Sequence, residues 1–324
     1  MLKGITRSPW VTYLAQKFAE LVAGVLLLVV VTFLLVLLVP GDAAVVIAGI
    51  DASPQDIENV RTRLGLDRPV LEQFWQYLAG LVTGDLGQSF RTGQPVSEVI
   101  GVRLPYTVSI ALGGILIAFC AAIIIGMSVA GLTRSGRRRW LDMSFSWGSS
   151  VLQTFPQYVY GAILVAVFAV WLGVLPAAGA RTYDSYILPI LALALGPTFS
   201  IARIVRRETT TVLETDYMRT ARGWRIGLGK QYIRYAFPNI LASTLTLSGI
   251  IMASMLGGAI IVESVFTWPG LGNGVVEAII DRDFSVIRGI ILTVGIIAIS
   301  INFIVDIVLA IVDPRVLTAG KAFS

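Results

Sequence analysis

The stretch GLGK, Gly227–Lys230, is the nearest this sequence comes to a phosphate-binding loop. Such a loop needs a glycine where Trp224 stands and a Ser or Thr where Gln231 stands, to shape the backbone cradle and to hold magnesium. Both are missing, so the chain is not expected to hydrolyse nucleotide. There is no histidine at all, which removes Ser-His hydrolysis and His-based metal sites together. Cys120 is the single cysteine and lies in an apolar run, so no internal disulfide forms. Asp306 is a carboxylate inside an apolar segment, the kind of place where transporters hold a coupling ion or proton. It stands about two turns before Asp313, near the end of its segment, and pairing near the interface is the favoured reading. The sequence therefore predicts no catalytic residue, no metal site and no cofactor bound by this chain.

One segment remains. DYMRTARGWRIGLGKQYIRYAFPN, Asp216–Asn239, gathers Arg219, Arg222, Arg225, Lys230 and Arg234 with Tyr217, Trp224, Tyr232, Tyr235 and Phe237. A solvated linker has no use for so many aromatics. Asp216 is placed to cap a short helix, and Arg222 suits its C-terminal dipole. Gly223, Gly227 and Gly229 then break it, and a second short helix, KQYIRYAF, is expected to end at Pro238. Two short helices joined by a glycine turn make a compact plug for a cleft in another protein.

The elements that position this segment are read from composition. The chain has 324 residues, 56% hydrophobic and 14% charged, with a net charge of +5. Its mean hydropathy is +0.80. A soluble domain carries more surface charge, and no basic patch on a soluble fold suggests nucleic acid. The expected class is an all-α polytopic membrane protein.

A bilayer core takes about 20 apolar residues in a helix. Six spans are predicted, over 21–39, 106–132, 143–175, 186–207, 240–262 and 289–312. Residues 1–20 precede them, 40–105 and 263–288 are the external connections, 208–239 is a cytoplasmic loop and 313–324 a tail. Seventeen of the 25 Lys/Arg fall with the termini, with Arg134–Arg139 and with Arg203–Arg234. The positive-inside rule then puts both termini and Asp216–Asn239 in the cytoplasm. In the external loop Ser53 and Pro54 start a helix that Gly65 stops. A second amphipathic helix follows, with Val70, Leu71, Phe74, Trp75, Leu78 and Leu81 on one side.

Small residues repeat four apart in two spans, Gly114, Ala118, Ala122 and Gly126 in the second and Gly249, Ala253 and Gly257 in the fifth. Each series is a groove that admits another helix. Packing within the chain is the expectation for the second span. The fifth is expected to face a partner or a translocation path. A secondary transporter would show mid-membrane charges, and an intramembrane protease would need a histidine or a paired aspartate; neither is present.

The sequence resembles the B-type permease subunit of bacterial ABC importers for dipeptides, oligopeptides, nickel and glutathione. The resemblance spans nearly the whole chain. It rests on LVPGD (Leu38–Asp42), LGLDRPVLEQFWQYL, GDLGQSFRTGQPV, VESVFTWPGLGNGVVEAIIDRDFSVIRG and NFIVDIVLAIVDPR, in that order. Asp216, Tyr217, Arg219, Thr220, Ala221 and Arg222 match the family's cytoplasmic EAA motif, and Pro238 falls where that pattern has its proline. Arg225 departs, because a glycine is usual there; Gly223 and Gly227 are expected to supply the turn. The resemblance implies a type I importer fold in a bacterial plasma membrane. Two permeases would form a pseudo-two-fold pair around one path. Two ATPase subunits, holding ATP and magnesium, would dock on the EAA loops, with Ala221 and Gly223 letting the backbones approach. An external binding protein would deliver a peptide-like solute, nickel or glutathione. Trp268, Pro269, Gly270 and Asn273 would lie at the external gate or touch that binding protein.

Overall fold

The structure, a computed structural model, describes residues 9–38, 43–48, 52–136 and 138–312. Leu38 closes the first helix, but the rest of LVPGD lies outside those residues. So do Asp313, Arg137 and the terminal Lys3, Arg7, Arg315 and Lys321. Every named element among the described residues is helical. The principal helices are α1 (Pro9–Leu38), α2 (Ala43–Ala48), α3 (Pro54–Leu64), α4 (Val70–Thr83), α5 (Val96–Leu132), α6 (Arg139–Thr154), α7 (Gln157–Leu164), α8 (Ile187–Glu214), α9 (Asp216–Gly223), α10 (Phe237–Val265), α11 (Leu271–Ile280) and α12 (Phe284–Val312), with short 3-10, π and single-turn pieces between some of them.

Four segments, Pro9–Leu37, Val96–Leu132, Tyr183–Glu214 and Phe284–Ile311, are long and apolar enough to cross a membrane. The third predicted span is not one straight helix. Arg139–Thr154 and Gln157–Trp171 meet at 97°. The cause is Pro156, which disfavours the helical region for the residue before it; Phe155 is extended at φ −77° and ψ 129°. The remaining predicted span lies in the 29 residues of α10.

The chain divides into two compact units. One comprises Val108–Trp268 with Met1–Ala19 and Ser300–Ser324. In it α8 runs along α10 and also packs on α6 and α7. Its core joins Ala118, Tyr160, Leu188, Leu193, Met255 and Phe266. The small stripe of α5 lies in this core. A Cβ on Gly114 would stand 3.1 Å from Leu193, and one on Gly126 would stand 2.6 Å from the Ala202 carbonyl oxygen. Ala118 and Ala122 are fully buried. That groove therefore holds α8, as expected for packing within the chain. Asp306 pairs with Lys17 at 3.1 Å, in keeping with a pairing role for this carboxylate.

The other unit comprises Glu20–Thr107 and Pro269–Ile299. Ser53 caps α3 with a reciprocal Ser53–Asp56 capping box, and Gly65 ends it at φ 65°. On α4 the predicted apolar side splits. Phe74, Leu78 and Leu81 join a cluster with Val29, Phe33, Tyr77 and Leu292, whereas Val70, Leu71 and Trp75 stay exposed. The GDLGQS stretch is pinned by Ser89, whose hydroxyl donates to the buried Asp283 carboxylate at 2.5 Å.

Candidate functional site

Helix α8 ends at Glu214, and Thr215 is extended, which turns the chain directly into α9. Thr215, not Asp216, occupies the cap position. Asp216 sits one residue inside, where its charge still favours the N-terminal dipole, and it pairs with Arg219 at 3.3 Å. Met218 and Ala221, three residues apart, are buried against the chain's own unit. Arg222 is half-buried and donates from Nη1 to the Leu213 carbonyl at 3.0 Å, tying α9 back to the last turn of α8. Burial, and then the nearby Arg134 and Arg219, lower its pKa from the usual arginine value.

The turn after α9 is made by Arg225 itself. Its φ is 54°, in the left-handed region. The Arg225 N–H donates to the Arg222 carbonyl at 2.9 Å and the Ile226 N–H to the Ala221 carbonyl at 3.1 Å. That pair of bonds is a Schellman cap, whose left-handed residue is most often glycine. Gly223 and Gly227 do not supply the turn: neither has a positive φ, and Gly223 is the last residue of α9. The family's usual glycine at this position is thus the residue the geometry favours, and Arg225 adopts the same conformation at some strain.

The second short helix does not end at Pro238. Leu228–Lys230 leads into a π-helical stretch, Gln231–Ala236, which runs straight into α10. Pro238 lies in the first turn of α10, where its missing N–H is least costly. The wider π turn ahead of it accommodates the ring. Gln231 is buried and donates to the Ile226 carbonyl at 2.6 Å. Tyr232 lies across Gly131 of α5, where a Cβ would collide with its ring. Burial raises the Tyr232 hydroxyl pKa, with Arg134 acting in the opposite direction.

The segment thus has two faces. Met218, Ala221, Gln231 and Ala236 anchor it. Tyr217, Trp224, Leu228 and Ile233 point outward, with Trp224 77% and Ile233 73% exposed. Asp216, Arg219, Thr220, Lys230 and Arg234 share the outer side. Ala221 is 4% exposed, so its small size serves contacts within this chain. Gly223 has open space around it. Leu228 and Ile233 were not singled out from the sequence. An apolar residue beside a membrane span gives no signal of being exposed until its neighbours are placed.

The other two residue sets are not brought to this face. Gly257 is exposed, with nothing within 4 Å of a Cβ built on it. Gly249 and Ala253 lie in α10, and their side-chain surroundings fall outside the described residues. Trp268 is fully buried, edge-on to Tyr186 with ring centroids 4.6 Å apart, so it is not an accessible contact. Thr267, at φ 47°, makes the turn out of α10 ahead of Pro269. Pro269 is half-buried and Gly270 buried. Asn273 is half-buried and donates to Glu277 at 2.8 Å. On α11, Val275 turns inward while Ile279 and Ile280 are exposed.

Residues 122–318 match the family described as binding-protein-dependent transport system inner membrane component. Residues 10–111 match the N-terminal part of such membrane components. A putative peptide transport system permease protein of Brucella suis is 38% identical over 309 residues, 93% of this chain and 97% of that protein. The glutathione transport system permease GsiC of Escherichia coli is 36% identical over 305 residues, 94% of this chain and 98% of its own. Among solved structures, the inward-facing MetNI methionine ABC transporter aligns at a TM-score of 0.51 and 18% identity, over 67% of this chain and 94% of the matched chain. That likeness shows the fold. With the family match over residues 122–318 and relatives that cover more than nine-tenths of it, the chain belongs to the inner membrane permease family of binding-protein-dependent transport systems, the multi-pass subunits of type I ABC importers.

Proposed function

We propose that this permease forms half of the path for a small peptide-like solute, driven by ATPase subunits that dock on the outer face of Asp216–Asn239. The observation that carries this is the two-sided segment itself. Its inner residues fix it to α5 and α8, and its outer side offers Trp224, Tyr217, Leu228 and Ile233 ringed by basic groups. Aromatic and arginine side chains dominate interface hot spots. Because the segment continues without a break into α10, a push on its face is passed along that helix. ATP and magnesium belong to the partner subunits. A second, homologous permease completes the path, and an external binding protein delivers the solute. The names of the relatives favour a peptide or glutathione as cargo.

The reading places both termini and Lys230 in the cytoplasm and Ser53 outside. Single cysteines introduced at those two positions in a Cys120→Ser background test it. An impermeant thiol reagent applied to intact cells should label Ser53→Cys and spare Lys230→Cys; the reverse pattern would invert the topology. Affinity purification should bring down ATPase subunits with the permease, and the complex in liposomes should take up dialanine or glutathione only with ATP. A permease that purifies without ATPases and transports without ATP would be an ion-coupled carrier.

A further inference from the structure

Helix α8 changes character after Ala202. Its inner side stays buried through Ile201, Ala202, Val205, Thr209 and Leu213. The side turned away from that core carries Ser200, Arg203 and Arg207, three and four residues apart and therefore on one stripe. The stripe forms one wall of a cleft of about 720 Å³, to which α6 contributes Ser146 and Gln153 and α10 contributes Ile251.

The charges in this cleft are not balanced. Arg206 pairs with Asp142 and lies over the Phe145 ring at 5.9 Å. Arg203 has only the Gln153 side-chain oxygen, at 3.4 Å. Among the described residues neither Arg203 nor Arg207 meets a carboxylate. Both belong to the apolar segment Tyr183–Glu214. By the charge count above they stand at its cytoplasmic end, and both line this cleft rather than the helix core. A guanidinium with open donors matches the two oxygens of a carboxylate. An anionic lipid would also need an apolar groove for its chains, and among the described residues the cleft offers Ile204 and Ile251.

We propose that this α6–α8–α10 cleft is an anion subsite on the solute route, where Arg203 and Arg207 receive a carboxylate of the cargo and Ser146, Gln153 and Ser200 meet its polar groups. The inference rests on the importer reading above and adds to it the place on this chain where the carboxylate of such a solute is met. Both arginines are solvent-exposed, so the hold is weak, as passage requires.

The test uses the assembled transporter in phosphatidylcholine liposomes, with Ser200→Cys in a Cys120→Ser background. Anionic and cationic methanethiosulfonate reagents report the local potential as a ratio of reaction rates. The anionic preference should fall about tenfold in Arg203→Gln/Arg207→Gln and persist in Arg203→Lys/Arg207→Lys. Excess glutathione or dialanine should slow the anionic reagent only while the two positive charges are present. An unchanged ratio in the glutamine pair would overturn the proposal. So would protection by added phosphatidylglycerol with none from either solute, which would make the cleft a headgroup site. If the ratio and the protection hold but ATP-driven uptake is absent, the anion subsite stands and the importer reading fails.

Discussion

Helices α5 and α10 both carry small residues at four-residue spacing, and the α5 stripe and Gly257 of α10 meet different surroundings. On α5, Gly114, Ala118, Ala122 and Gly126 are packed by α8 of the same chain. On α10, Gly257 faces open space, while its neighbour Gly258 takes the Gln157 side chain. Spacing alone creates a groove and does not say what fills it. In lipid, small residues gain by close backbone approach whichever helix comes, so the same pattern serves both a fold and an assembly. The filled groove is part of folding this chain, and on α10 the face at Gly257 is open.

Substitutions separate the two roles. Gly126→Leu should be the most damaging, because its Cβ would run into the Ala202 carbonyl and Val205, which are backbone and branched atoms that cannot swing away. A loss of about 3 kcal/mol is expected, visible as a lowered melting temperature of the detergent-solubilised permease. If Gly126→Leu melts like wild type, the α5–α8 seam is looser than its geometry implies.

The same inner-and-outer contrast divides α9. Trp224→Ala should leave the permease as stable as wild type and weaken ATPase docking by about 2 kcal/mol, roughly thirtyfold in affinity. Ala221→Glu is the complementary change. It buries a carboxylate without a partner, so it should destabilise the permease before it affects docking. Equal docking by wild type and Trp224→Ala would remove the outer face from the interface.

Gly257→Leu should leave the melting temperature unchanged and reduce either pairing with the second permease or uptake by about tenfold, some 1.4 kcal/mol. Normal assembly and uptake in that variant would assign the α10 stripe to lipid. The smallest effect is expected at the hinge between the two faces. Arg225→Gly relieves a left-handed residue and should stabilise the segment by about 1 kcal/mol, read as slower hydrogen exchange at the Ile226 amide. Faster exchange there would mean that the arginine side chain contributes more than its backbone strain costs.

Much of this molecule is written in local chemistry. The Ser53–Pro54 start and Gly65 stop of α3 depend on residues within a few turns of one another, and the structure agrees with them. The all-helical class follows from composition in the same way, whereas four described segments, or five with the bent pair, are long and apolar enough to span a membrane where six were predicted. The outcomes that differ are those that depend on where a distant element lands. Ala221 and Trp268 turn inward, Val70, Leu71 and Trp75 turn outward, and the helix runs on through Pro238. In a soluble protein hydrophobicity separates inside from outside. In a membrane protein lipid and core are equally apolar, so the sequence determines that a helix forms and how long it is, whereas only the packed neighbours decide which of its faces meets protein.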